Sequence, residues 1–188
     1  AEAYRGAMRI YTDEFMLRHD TGAGHVERSA RLERLQFSLA DQPIPGVSMH
    51  KPRLALPEEL ELVHEADYIS RILALDGQTL ALDADTNLSP DSVRAARLAV
   101  GAGLCAVEDL VAGKCPSAFA LVRPPGHHAE RNRAMGFCVF NNIAIAAAHA
   151  VQNLGVERVL VIDWDVHHGN GTAHIFEHRA DVLVFGTH

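Results

Sequence analysis

No apolar run in the 188 residues is long enough to span a bilayer, and Ala1–Arg9 lacks the apolar core of a secretion signal. Both absences favour a cytoplasmic protein. Cysteine is scarce: Cys105, Cys115 and Cys138 are odd in number and have no paired spacing, which argues against a disulfide framework and fits a reducing compartment. Positive charge is in deficit, with 17 Lys and Arg against 24 Asp and Glu and a formal net charge of -7. Sequence-nonspecific grip on a nucleic-acid backbone is therefore not expected. Repeats, low-complexity tracts and a convincing linker are also missing, so residues 1–188 read as one domain. Aromatics are only 6%, but 48% hydrophobic and 22% charged residues are the balance of a soluble globular chain able to bury a core.

What the sequence has in quantity is histidine. There are 12, and eight lie from His127 onward. The periodicity ahead of them predicts a first strand at Met8–Tyr11 and a helix at Arg28–Leu39, with Leu32, Leu35 and Leu39 on one face. Two short helices, Pro57–Val63 and Ala66–Leu75, flank His64. Ser89-Pro90-Asp91 predicts the start of a long alanine-rich helix, with Ser89 as N-cap, running to Val111 and stopping at Gly113. Further on, strand Ala118–Val122, helix Asn142–Leu154, strand Arg158–Ile162, a short helix at Thr172–His178 and strand Val182–Phe185 follow. Strands alternating with helices predict an α/β fold on a mainly parallel sheet, its last two strands buried on both faces.

In such a sheet, ligands bind beyond the carboxyl ends of the strands. Three strands deliver polar residues there: Arg123-Pro-Pro-Gly-His127-His128, then Asp163-Trp-Asp165-Val-His167-His168-Gly169-Asn170-Gly171, then Gly186-Thr187-His188. One site fed by all three is the economical reading. Asp165 and His167 are separated by one residue, so in an extended segment both side chains share a face with Asp163. Carboxylate and imidazole suit zinc or a similar divalent ion. A lone D-x-H is as readily a cap beside a solvated histidine. Two aspartates, two histidines and three Gly or Asn turn residues directly after an apolar strand favour the ligand reading. His127 and His128 have the pKa range for proton transfer, although adjacent histidines also serve as ligands or as plain surface residues. Gly136 allows close approach to a ligand, and Phe137 could wall a channel.

Taken together these motifs resemble the histone deacetylase superfamily: RPPGHH at 123–128, Gly136-Phe137-Cys138 running into Asn141-Asn142, and D-x-D-x-H-H-G-N-G-T at 163–172. Earlier segments agree in order. His25-Val-Glu-Arg28 resembles the family's H-P-E-R, Val63-His64-x-x-x-Tyr68 its V-H-x-x-x-Y, and Leu82–Thr86 the loop carrying a substrate-binding aspartate.

The resemblance implies the three-layer arginase/deacetylase-type α/β fold, incomplete at the C-terminus. It also implies a zinc-dependent amidohydrolase acting on acetyl-lysine side chains of proteins or on related acetylated amines, with another divalent metal as an alternative. It makes Asp165 and His167 metal ligands, His127 and His128 the proton-handling pair, and Asp163 the partner of the first. Gly136 and Phe137 become tunnel walls, and Asp85, ahead of Asp83, the residue that binds substrate backbone. Arg28 becomes an acetate-channel residue, with His168 and Asn170 in support.

Asn170 stands where some members have aspartate; asparagine there is similar to the class II type and implies that the second histidine is a weaker base. Gly169 stands where the related arginases bind a second metal. Gly186 replaces a serine of a structural potassium (K+) site. The family's third metal ligand and transition-state tyrosine match no residue, so the isolated chain is expected to be inactive. The alternatives are an acetylpolyamine amidohydrolase and, from a different class, a truncated non-catalytic binding module.

Overall fold

The computed structural model describes residues 8–188. Ala1–Ala7, most of the stretch weighed as a secretion signal, lie outside the described residues. The chain begins with β1 (Met8–Tyr11), a 3-10 turn at Glu14–Arg18, α1 (Ser29–Asp41) and β2 (Val47–His50). The short helices α2 (Pro57–Leu60) and α3 (Ala66–Leu73) lead to a hairpin of β3 (Leu80–Ala81) and β4 (Asn87–Leu88). Then come α4 (Ser92–Val111), β5 (Ala118–Ala120), α5 (Asn142–Gln152), β6 (Val159–Asp163), α6 (Asn170–Phe176) and β7 (Val182–Gly186).

The helix α4 is the spine. Its alanines and glycines let neighbours approach closely, and a side chain at Gly101 would overlap the Arg53 carbonyl. One face packs on α5, and another receives Tyr11, Ala118 and Ala120 from the sheet. Arg9 and Tyr11 both reach Asp109 near the end of α4, tying β1 to it. The main core gathers Leu60, Leu104, Val139, Phe140 and Ile145, none of them measurably exposed. Cutting one such leucine to alanine costs about 2–5 kcal/mol.

Apart from the antiparallel β3–β4 hairpin, the strand pairs are parallel, as the βαβ pattern requires, but they form two pieces rather than one sheet. The order β2-β1-β5 makes one piece and β6-β7 the other. Between β5 and β6 lies a trough of about 400 Å³, lined by small residues such as Ala99, Gly103 and Ala146 together with Val161. The expectation that β6 and β7 are buried on both faces is corrected here. Val161 and Val182 are buried, whereas Leu160, Ile162, Leu183 and Phe185 on the opposite face are more than half exposed. Nothing among the described residues covers that face.

The N-cap assignment is also corrected. Helix α4 starts at Ser92 with Asp91 at the N-cap position, two residues later than Ser89 would require. The Ser89 hydroxyl is drawn instead into a tertiary contact, accepting from the Asp20 backbone and meeting Ser92 Oγ. No helix among the described residues is long and apolar enough to cross a membrane.

Candidate active site

The loop after β5 is clamped at its base. Arg123 donates to both carboxylate oxygens of Glu27 at 2.8 and 2.9 Å and to the carbonyls of Met16 and His19 at 3.0 and 2.6 Å. Arg123 is 3% exposed and Glu27 4%, so this is a buried, fully engaged ion pair. Beside it, burial and the Arg123 charge push His19 down to about 4, so it stands neutral. Farther along, His64 pins the same region from below. It accepts from the Asn141 amide through Nε2 and therefore donates through Nδ1 to the Glu130 carbonyl. Burial pushes its pKa down to about 4 as well.

This frame presents the two histidines. His127 Nδ1 lies 2.9 Å from Asp163 Oδ2, and His128 Nδ1 lies 2.7 Å from Asn170 Oδ1. The rings stand 4.0 Å apart. Asp163 ends β6 and Asn170 begins α6, so two separate elements aim the pair. Two glycines make room for it. Gly169 faces Asp163 and His127, where any Cβ would overlap the carboxylate. Gly136, at φ +56°, lies against the His128 ring and has no room for a side chain. The adjacent Phe137 is held at φ 68°, a conformation that non-glycine residues rarely adopt.

Phe137 connects to the β3–β4 loop. Its amide donates to Thr86 Oγ1 at 3.1 Å, and its ring meets His25 edge-on at 4.7 Å. His25 Nε2 is 3.1 Å from the Asp85 carbonyl. Asp83 is occupied in its own turn, accepting from the amides of Asp85 and Thr86. The Asp85 side chain is exposed beside it.

The metal-type residues sit outside this frame. Asp165 and His167 are exposed, with Asp165 Oδ1 2.9 Å from His167 Nδ1. Their proximity does not come from an extended segment, which is a correction. The Asp163 carboxylate accepts from the Asp165 amide, and the Asp165 carboxylate from the His167 amide. Two successive carboxylate-capped turns fold the loop and bring the pair together. The His167 amide also holds the Asp165 carboxyl below its ordinary pKa, in the ionised form a metal needs.

The two are hydrogen-bonded to each other, closer than the roughly 3.3 Å between ligands of a tetrahedral zinc ion, but oxygen and nitrogen are both donor types that zinc accepts. Among the described residues no group of three His, Cys, Asp or Glu side chains converges in a way that could hold a metal. The chain thus offers two donors of the right type.

Two expected site residues stand elsewhere. Arg28 is exposed at the start of α1, and among the described residues no hydrogen bond or ion pair ties its side chain to the histidines. His168 packs against His188, two residues past β7, with ring centroids 4.5 Å apart. Sequence reasoning passed over Glu27, Glu130 and His174, although Glu130 follows the tandem histidines by two residues. Cys138 is fully buried, its thiol pushed up to about 12 by burial, which makes it a structural thiol.

The family model described as the histone deacetylase domain matches residues 25–188. The chain is 48% identical over 171 residues to the human protein named polyamine deacetylase HDAC10, a match that covers 85% of this chain and 24% of that protein. It is 43% identical over 171 residues to the histone deacetylase-like amidohydrolase of Pseudomonas aeruginosa, covering 88% of this chain and 44% of that one. The crystal structure of the HDA15 HD domain superposes with a TM-score of 0.91 at 39% identity, covering 97% of this chain and 54% of that chain. The chain therefore spans less than two thirds of the length of these relatives.

Proposed function

This chain belongs to the histone deacetylase family, and on that premise we propose that it carries the proton-handling half and two metal ligands of a zinc-dependent deacetylase. The substrates are acetyl-lysine side chains of proteins or related acetylated amines. The observation that carries this reading is the placement of two histidines, each tethered through Nδ1, beside a paired carboxylate and imidazole.

Zinc, or another divalent ion, held by Asp165, His167 and a third donor, would polarise the acetyl carbonyl and make the attacking water more acidic. The remaining work falls to the chain. Asp163 fixes the orientation and tautomer of the His127 ring. With Nδ1 engaged, each histidine directs Nε2 outward, one to take the water's proton and the other to return a proton to the departing amine. Phe137 walls the entry for an extended aliphatic stem, and Asp85 stands at its rim to accept hydrogen bonds from the substrate. In this reading the third ligand and the oxyanion donor come from polypeptide outside the 188 residues. The isolated chain with zinc is then inactive, since losing an oxyanion donor alone costs about 2.7–4 kcal/mol of the barrier. Free cysteines support a reducing, cytoplasmic setting.

A polyamine-type substrate is the second reading, supported by the similarity to polyamine deacetylase HDAC10. Acetate release by the native protein containing these residues tests both. Turnover of an acetyl-lysine peptide supports the first reading, and turnover of acetylputrescine without the peptide supports the second. Absence of both activities would refute the enzyme assignment.

A further inference from the structure

Asparagine in place of a charged partner leaves His128 with a weaker tether than His127, unless something else fixes that amide. The structure supplies it. Asn170 Nδ2 donates to Glu130 Oε1 at 2.6 Å and lies 3.4 Å from the His128 carbonyl. An ionised carboxylate only accepts, and so does a carbonyl. The amide can therefore stand one way round, with Oδ1 turned to His128 Nδ1 at 2.7 Å. An amide oxygen also only accepts, so the His128 proton sits on Nδ1 and the lone pair on Nε2. Glu130 is itself held twice. His174 Nδ1 lies 2.9 and 3.0 Å from its two carboxylate oxygens, and His64 Nδ1 donates to its carbonyl at 2.9 Å.

We propose that Glu130 is a positioning residue: by locking the Asn170 amide it sets the tautomer of His128, and His174 holds it in place. This deepens the deacetylase reading and rests on it for its purpose, but not for its test. At His127 the Asp163 carboxylate sets the tautomer directly. At His128 the same result is reached through a neutral amide backed by a carboxylate one step farther out. Remove the carboxylate and the amide is free to turn, offering an N–H to Nδ1 and moving the ring proton to Nε2. The lone pair would then face the wrong way.

The test is long-range proton–nitrogen NMR of the histidine side chains in the 188-residue chain, with the ring neutral. Wild type should show His128 protonated on Nδ1. Glu130→Gln, whose amide can donate as well as accept, should lower the Nδ1 to Nε2 ratio by about tenfold, the effect of one lost hydrogen-bond preference. Glu130→Asp should restore part of it, and His174→Ala should lower it by less than Glu130→Gln. The His127 signals should stay unchanged in all three, which a general loosening of the fold would not allow.

A wild-type ring protonated on Nε2 overturns the proposal. So does an unchanged ratio in a folded Glu130→Gln protein. If that variant fails to fold, the wild-type spectrum and the exposed His174→Ala change decide. Loss of the deacetylase reading would leave the tautomer result standing, so the two failures can be told apart.

Discussion

The loop after β5 and the loop after β6 meet at one site, but they are built by opposite means. The first is braced from within: Arg123 on Glu27, His64 on Glu130, and glycines that leave no slack beside His127 and His128. The second stands in solvent, with the His167 side chain 70% exposed and that of Asp165 50%, held by two local turns. Proton transfer demands aim, so the histidines are positioned by the fold. A metal ion can organise its own ligands, so under the proposed function the exposed pair needs no such bracing before an ion binds.

Breaking the braced half should have the largest effect. Glu27→Ala strands the Arg123 charge in the interior, and about 3–5 kcal/mol of stability should be lost, read by urea unfolding. Little or no change would mean that Arg123 finds water or another partner. In the native protein, His127→Ala should cut turnover by about 10²- to 10⁴-fold, the range for losing a general acid or base. A smaller drop would place the proton-handling role elsewhere.

Acid sharpens the contrast from another side. His19 and His64 fold neutral, each pushed down to about 4, while in the unfolded chain they titrate near the ordinary histidine value of about 6.5. Between those values the unfolded state binds more protons, so stability is full above pH 6.5 and is lost as pH falls toward 4. The loss is about 1.4 kcal/mol per pH unit for each histidine. Urea midpoints at pH 7.5 and pH 5 that differ only slightly would contradict the burial of both. The smallest effect belongs to the exposed half: Asp165→Ala should change stability by no more than about 0.5 kcal/mol. A loss of several kcal/mol would show that this loop is braced after all.

Much of this was legible in the sequence, and the reasons for the rest are physical. The helices α1, α4 and α5 declared themselves by period and composition, and the tandem histidines by their place after a strand. The strand β2 escaped notice because Val47-Ser-Met-His is short, polar in half its positions and placed directly after a turn. Ser89 carried a capping signal that the fold spent on Asp20 and Ser92, a contact 69 residues distant in sequence. Alternation placed Asp165 beside His167 for the wrong reason, since carboxylate-capped turns give the same neighbours without an extended chain. Glu130 could be suspected from its position near the histidines, but its role depends on Asn170, 40 residues farther on. Apolar runs at β6 and β7 promised burial on two faces. One face is uncovered among the described residues, because hydrophobicity records what a surface needs and not what is present to cover it.

Zinc titration of the chain by calorimetry tests the division of labour most directly. Wild type should bind one zinc ion weakly compared with a site of three protein ligands. Asp165→Ala and His167→Ala should each abolish that binding without unfolding the protein, while Glu130→Gln should leave it intact. Tight binding that survives His167→Ala would contradict the account, since the metal would then lie somewhere other than beside the braced histidines.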